Sequence, residues 1–299
     1  MMRSMFAAIS GLRVHQTMLD VTANDIANVN TVGYKAERTS FKDALSQLQR
    51  GASGPTTGQG GTNPVQIGLG VQLASISNVM SGGAIQSTGN PLDLAVQGDG
   101  FFRVGGVQWS GAAWTTSGNV GYTRAGNFSL DQSGNLVTQD GDYVMAYKVD
   151  PTTGALLTGA GAPATGPATA GASGVHIPPG QAKSVSIGAD GMVTYVDMTT
   201  GALQYAGQVA LATFPNASGL ERISGNKFGA SSNSGAETLF AAGALNAPAA
   251  LAAGSVEMSN VDLAQEFTTM ITAQRGFQAN SRVITAADEM LQQLVNLGH

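Results

Sequence analysis

The segment LAQEFTTMITAQRGFQANSRVITAADEMLQQLVNL, running from Leu263 to Leu297, decides how the rest of the chain is organised. Leu263, Met270, Phe277, Ile284 and Leu291 recur at every seventh residue. A second row, Phe267, Gln274, Ser281, Asp288 and Val295, is offset by four. Alternating steps of four and three put both rows on one stripe of an α-helix, the geometry of a coiled-coil seam. The second row turns polar in its middle, so the seam is narrow. At about 1.5 Å per residue this helix is roughly 50 Å long, too long for most compact domains, and it calls for a partner helix.

The partner lies at the opposite end of the chain. Met5, Leu12, Leu19 and Ile26 also repeat at seven, with Ile9, Gln16 and Ala23 between them, and predict a first helix over residues 4–27. A lone amphipathic helix usually covers a globular core. Sustained sevenfold spacing at both termini argues instead for a terminal pair. Neither stripe is fully buried within one chain, so copies of the same chain are the expected further partners. Met5, Ile9, Leu12, Leu19 and Ile26, with Leu263, Phe267, Met270, Phe277, Ile284, Leu291 and Val295, form the expected self-assembly seam.

Between the helices the pattern is β. Leu92, Leu94 and Val96 alternate with Asp93, Ala95 and Gln97, as in a half-buried strand. Gly98-Asp99-Gly100 makes a turn before Phe101, Phe102 and Val104, and residues 128–137 read as a hairpin. The pattern returns at Val185–Val196 and Tyr205–Phe214. Asp131, Asn135 and Asp140 lack the spacing of a calcium loop and are read as turn chemistry. Phe41–Leu48 reads as one or two helical turns, and Gly51–Gly61 as an exposed loop. Residues 151–174 form a low-complexity Gly/Ala/Thr/Pro insertion, and the Ala-rich 241–254 a return linker. The fold class is therefore α+β with a mostly β middle. Residues 1–30 with 255–299 are expected as a terminal coiled-coil domain, 31–80 as a linker with short strands, and 81–254 as a β-rich outer domain.

Composition narrows the function. Fourteen basic and 19 acidic residues give a net charge of −5, with no basic footprint for nucleic acid or anionic lipid. Charged residues are only 11% of the 299, and glycine numbers 41. A weakly charged, Gly-rich surface lacks the repulsion that keeps proteins apart. With no cysteine, disulfides, zinc–thiolate sites and thiol nucleophiles are excluded. No run of 18 apolar residues spans a membrane, and the N-terminal segment is too short and polar for a cleaved secretory signal. His15, His176 and His299 have no triad partner in motif spacing, and no phosphate-binding or dinucleotide-binding glycine motif occurs. No enzyme activity, cofactor or metal is expected.

The first helix ends in Asn24-Asp25-Ile26-Ala27-Asn28-Val29-Asn30-Thr31-Val32-Gly33-Tyr34-Lys35. Asn and Gly accept left-handed backbone and bond local amides, so on physical grounds this is a helix stop. The segment also resembles the signature of the flagellar rod and hook proteins, carried here by Asn24, Asn28, Asn30, Thr31, Gly33 and Tyr34. The resemblance continues through Leu92–Phe102, Tyr122–Phe128 and Val256–Asp262 into the last helix, in family order. It implies a structural subunit of a helical tube, exported uncleaved to the outside of the cell. Within the family, Gly61–Val71 is more similar to the hook branch, a flexible joint transmitting torque, than to the distal-rod branch, a rigid shaft. The implied partners are copies of itself, the distal rod, the hook cap, the hook–filament junction and the export apparatus. Phe41 and Leu45 fit the family's export-gate motif, or else an i, i+4 packing pair. A more distant alternative is an extracellular β-rich binding protein, monomeric in solution.

Overall fold

The structure, a computed structural model, describes residues 2–55, 57–58, 60–110, 114–156, 173–243 and 248–297. The chain divides into two compact units. One comprises Met1–Asn28, Ala36–Val79 and Val261–His299, the other Val29–Lys35 and Met80–Asn260. Most of the low-complexity insertion, residues 157–172, lies outside the described residues.

The first unit is built on helices α1 (Met2–Ala27) and α2 (Leu263–Leu297). Asp262 caps α2, its Oδ1 accepting the Ala264 N–H at 2.9 Å. The helices run antiparallel, since Gly11 faces Asn280 and His15 faces Gly276. Both glycines serve close approach: a Cβ on Gly276 would meet the His15 ring at 2.5 Å. Ala8, Gly11, Val14, Thr22 and Asp25 of α1 are buried, as are Ala273 and Ala287 of α2. The contact is thus made largely by small residues, which bring the helix axes together and leave the larger side chains at its flanks.

Four strands complete this unit: β1 (Glu37–Asp43), β2 (Ser46–Arg50), β3 (Val65–Gly68) and β4 (Val71–Asn78). β1 pairs with β4 and β2 with β3, all antiparallel, making one long ribbon that continues to a Ser53–Thr62 bridge. The helical turns expected at Phe41–Leu48 are therefore corrected to extended chain. Two apolar residues give a helix a single pair to bury, whereas the ribbon satisfies backbone groups along its whole length. Ser10 Oγ of α1 accepts the Val71 N–H at 3.2 Å and ties β4 to the helix. Residues 36–79, read above as a linker, lie inside the helical unit.

Among its described residues the second unit is β-rich, with one short 3-10 turn at Ala217–Gly219. Its first strands are β5 (Ile85–Ser87), β6 (Leu94–Gly98), β7 (Phe101–Trp109) and β8 (Trp114–Thr123). There follow β9 (Ser129–Leu130), β10 (Leu136–Val137), β11 (Met145–Tyr147), β12 (Ser173–Gly174), β13 (Ala182–Ile187), β14 (Met192–Asp197) and β15 (Leu203–Thr213). The last are β16 (Glu221–Arg222), β17 (Lys227–Gly229), β18 (Thr238–Ala241), β19 (Ala249–Ala253) and β20 (Ser255–Glu257). The main sheet runs β12-β11-β15-β7-β8-β17-β16, with β14 and β18 also on β15. Neighbouring residues on β7 face opposite ways, as a pleat requires. Phe102 packs with Leu94, Val96 and Leu211, while Phe101 packs with Tyr122, Leu220 and Phe228.

Asp131 Oδ1 accepts the Asn135 N–H at 2.7 Å and Oδ2 accepts Asn135 Nδ2 at 2.9 Å, so the hairpin turn occupies the carboxylate internally. The return linker at 241–254 is corrected in part. Ala249–Ala253 is strand β19, paired along β6, and β20 pairs with β5. Alanines supply no apolar alternation to read, yet Ala249 and Leu251 face inward with Ala250 exposed between them.

Candidate assembly site

The chain leaves α1 through a helix stop. Asn28 Nδ2 donates to the Asn24 carbonyl at 2.9 Å, and Gly33 takes a φ of 68° that other residues rarely adopt. A Cβ there would overlap the backbone of Ala125. The segment Val29–Lys35 is then gripped from several sides. Gly33 N–H donates to the Glu257 carbonyl at 2.7 Å, and Asn226 Nδ2 to the Val32 carbonyl at 2.6 Å. Arg222 lies over the Tyr34 ring, 4.7 Å from its centroid, and donates to the Lys35 carbonyl at 2.7 Å. Of the signature residues, Tyr34 and Gly33 are buried, Asn28 and Thr31 half-buried, and Asn24 and Asn30 exposed.

At the centre of this grip is a buried ionic cluster that sequence reading missed. Lys35, Glu257 and Arg124 are 0%, 1% and 2% exposed. Lys35 Nζ donates to Glu257 Oε1 at 2.6 Å and to the Ser81 carbonyl at 2.7 Å. Glu257 Oε1 also accepts the Gly83 N–H at 2.8 Å. Arg124 reaches Glu257 Oε2 at 3.2 Å and the Gly98 carbonyl at 2.8 Å, with its guanidinium 5.1 Å from the Phe101 centroid. Burial pulls the Lys35 ammonium below its ordinary pKa; bonding to Glu257 opposes that, and the charge of Arg124 adds to it. Each of the three charged residues comes from a different motif of the family resemblance. Their position within those motifs was the available signal.

The expected self-assembly seam is divided between covered and open faces. Met5, Ile9, Leu12, Leu19 and Ile26 are half-buried, as are Met270, Ile284 and Leu291. Glu266, Ala273, Asn280 and Ala287, three residues ahead of the first α2 row, make the companion row on the covered side. Leu263, Phe267, Phe277 and Val295 are exposed. At about 100° per residue, two apolar patches flank the covered stripe of α2 on opposite sides. Leu263, Phe267 and Ile271 lie on one flank of its first half, and Val283, Met290 and Leu294 on the other flank of its second half. Phe6 of α1 and Leu45, Leu48, Val65 and Ile67 of the ribbon are also exposed. Phe6 and Ile9 line a groove with Val14, Val71 and Leu73, about 530 Å³ in volume. Phe41 and Leu45 sit on extended chain, where an i, i+4 spacing spans roughly 13 Å, so they do not form the helical packing pair.

Among the described residues no group of three or more His, Cys, Asp or Glu side chains could hold a metal ion. No helix among them is long and apolar enough to cross a membrane. Two long helices from the chain ends, open apolar faces on both and a β-rich middle define a structural subunit.

Comparison with known proteins agrees. Residues 5–35 match a family described as "Flagella basal body rod protein", 95–195 "Flagellar hook protein FlgE/F/G D1 domain", and 252–297 "Flagellar basal body rod FlgEFG protein C-terminal". The chain is 45% identical over 302 residues to the flagellar basal-body rod protein FlgG of Bacillus subtilis, covering 99% of both chains. It is 36% identical to FlgG of Caulobacter vibrioides over 97% of both. To the flagellar hook protein FlgE of Borreliella burgdorferi it is 28% identical, across 99% of this chain and all of that one. The chain belongs to the family of flagellar rod and hook proteins, structural components of the flagellum. Among these relatives the more similar full-length ones bear the rod name, which favours the distal-rod alternative over the hook reading taken from Gly61–Val71.

Proposed function

We propose that this chain is a subunit of the flagellar distal rod, polymerising through its terminal helices into a stiff shaft. The observation that carries rod over hook is end-to-end similarity at matched length. The rod relative aligns over 302 positions, whereas alignment with the hook protein spreads over 451. Partners are copies of the chain itself, adjoining axial proteins and the export apparatus. The hook cap and hook–filament junction follow from the hook reading and go with it. Leu45, 77% exposed, and Phe41, 39% exposed, are both accessible on the ribbon to an export gate.

The open faces supply the driving force. Burying one large apolar side chain gains about 1.5–3 kcal/mol in full, so the six half-exposed flank residues of α2 together offer roughly 4–9 kcal/mol. Association alone costs about 4–15 kcal/mol, so one such contact is marginal and several at once are needed. Patches on opposite flanks bind different neighbours, a heterologous arrangement that propagates instead of closing. Electron microscopy of concentrated protein tests the reading. Straight tubes are expected; curved, supercoiling tubes return the chain to the hook, and the absence of any tube removes both readings.

A further inference from the structure

We propose that Glu257 is a completion lock: it lets the segment Val29–Lys35 dock only once the C-terminal strands β19 and β20 have arrived, so that an unfinished chain leaves this segment free. The two cations that converge on Glu257 lie 222 and 133 residues before it in sequence. A chain made from its N-terminus therefore presents Lys35 and Arg124 long before their carboxylate exists. With β20 in place but Glu257 uncharged, docking Val29–Lys35 sets two cations side by side where the finished fold leaves them 0% and 2% exposed. An unpaired buried charge is strongly disfavoured, so the segment stays in solvent.

The backbone links the same events. Gly33 N–H needs the Glu257 carbonyl, β5 has only β20 as its partner among the described strands, and β6 pairs with β19. Asp93 O accepts the Gly254 N–H at 2.8 Å on the turn between β19 and β20. The contacts that hold the segment near the start and those that hold the segment near the end are thus one set. The main sheet around β7, β8 and β15 is built from residues that precede Glu257.

The test is hydrogen exchange, read peptide by peptide, on three full-length proteins: wild type, Glu257→Gln, and Lys35→Met with Glu257→Gln. In Glu257→Gln, residues 29–35, β5, β6, β19 and β20 lose protection together by about a hundredfold or more, while β7 and β8 keep theirs. The double variant, with one cation removed, recovers at least about tenfold of that loss. If Glu257→Gln unfolds the whole unit, the same recovery by the double variant still carries the proposal. Wild-type protection of residues 29–35 in Glu257→Gln overturns it. So does loss confined to one of the two end segments, or a double variant no better protected than the single.

Discussion

Lys35 Nζ and Glu257 Oε1 stand 2.6 Å apart with both side chains out of reach of water, although 222 residues separate them in the chain. Charged residues are scarce in this protein, yet an ammonium, a carboxylate and a guanidinium meet in one dry site. Breaking one partner of such a site costs about 3–5 kcal/mol, far more than a surface pair. The cluster therefore specifies where the chain leaving α1 must run.

Gly33→Ala tests that route without touching a charge. A side chain at φ 68° is strained, and its Cβ overlaps Ala125. The expected loss is about 3 kcal/mol or more. It is read as a lowered urea midpoint by fluorescence of Trp109 and Trp114, the chain's two tryptophans. An unchanged midpoint contradicts the docked conformation of this segment.

The helix pair depends on close approach. In Gly276→Val the new side chain meets the His15 ring, and the helices must part. Overpacking of this kind costs about 1–3 kcal/mol. Circular dichroism melting of the helical signal should shift down accordingly, and Gly276→Ala should shift it less.

Glu266 makes the same unit sensitive to acid. Its carboxyl is held above the usual value by burial first, then by the charges of Asp25 and Asp262. Asp25 is itself buried, with both carboxylate oxygens on the Glu37 N–H at 3.1 and 3.2 Å. A carboxyl with a raised folded-state pKa contributes stability that is complete below its unfolded value of 4.5 and is lost as pH rises through the folded value. Glu266→Gln should thus stabilise the helices near neutrality, by about 0.5 kcal/mol given its partial exposure, and make no difference in acid. Helical melts at the two pH values provide the check.

Tyrosines set the alkaline limit. Burial raises the phenols of Tyr122, Tyr147 and Tyr195, and Tyr122 also donates to Glu237 at 2.7 Å. Their contribution is complete below the ordinary phenol value of 10.0 and falls as pH climbs above it. Tyrosinate absorbance should rise in two stages, with these three rings ionising as the β unit opens. A single transition near the ordinary value contradicts their burial.

Much of this architecture is legible in residue spacing. The sevenfold rows located both helices, and strand alternation located β6, β7, β13 and β14. The companion row on α2 was not legible, because hydrophobic periodicity follows large residues while the helices meet through Ala273, Gly276 and Ala287. The ribbon escaped for a related reason: nearly every side chain of β2 and β3 is exposed, so burial imposes no alternation on them. Spacing cannot announce the pairing of Lys35 with Glu257, since only the closed topology brings the chain's two end segments together.

If the open flanks of α2 are contact surfaces between copies, sedimentation across a concentration series reports their association. Wild-type protein should grow in mass with concentration, while Phe267→Asp and Leu294→Asp, on opposite flanks and each about half exposed, should fold and remain monomeric. A wild type that stays monomeric throughout, or charged variants that assemble as readily as it does, rules out these flanks as contact surfaces.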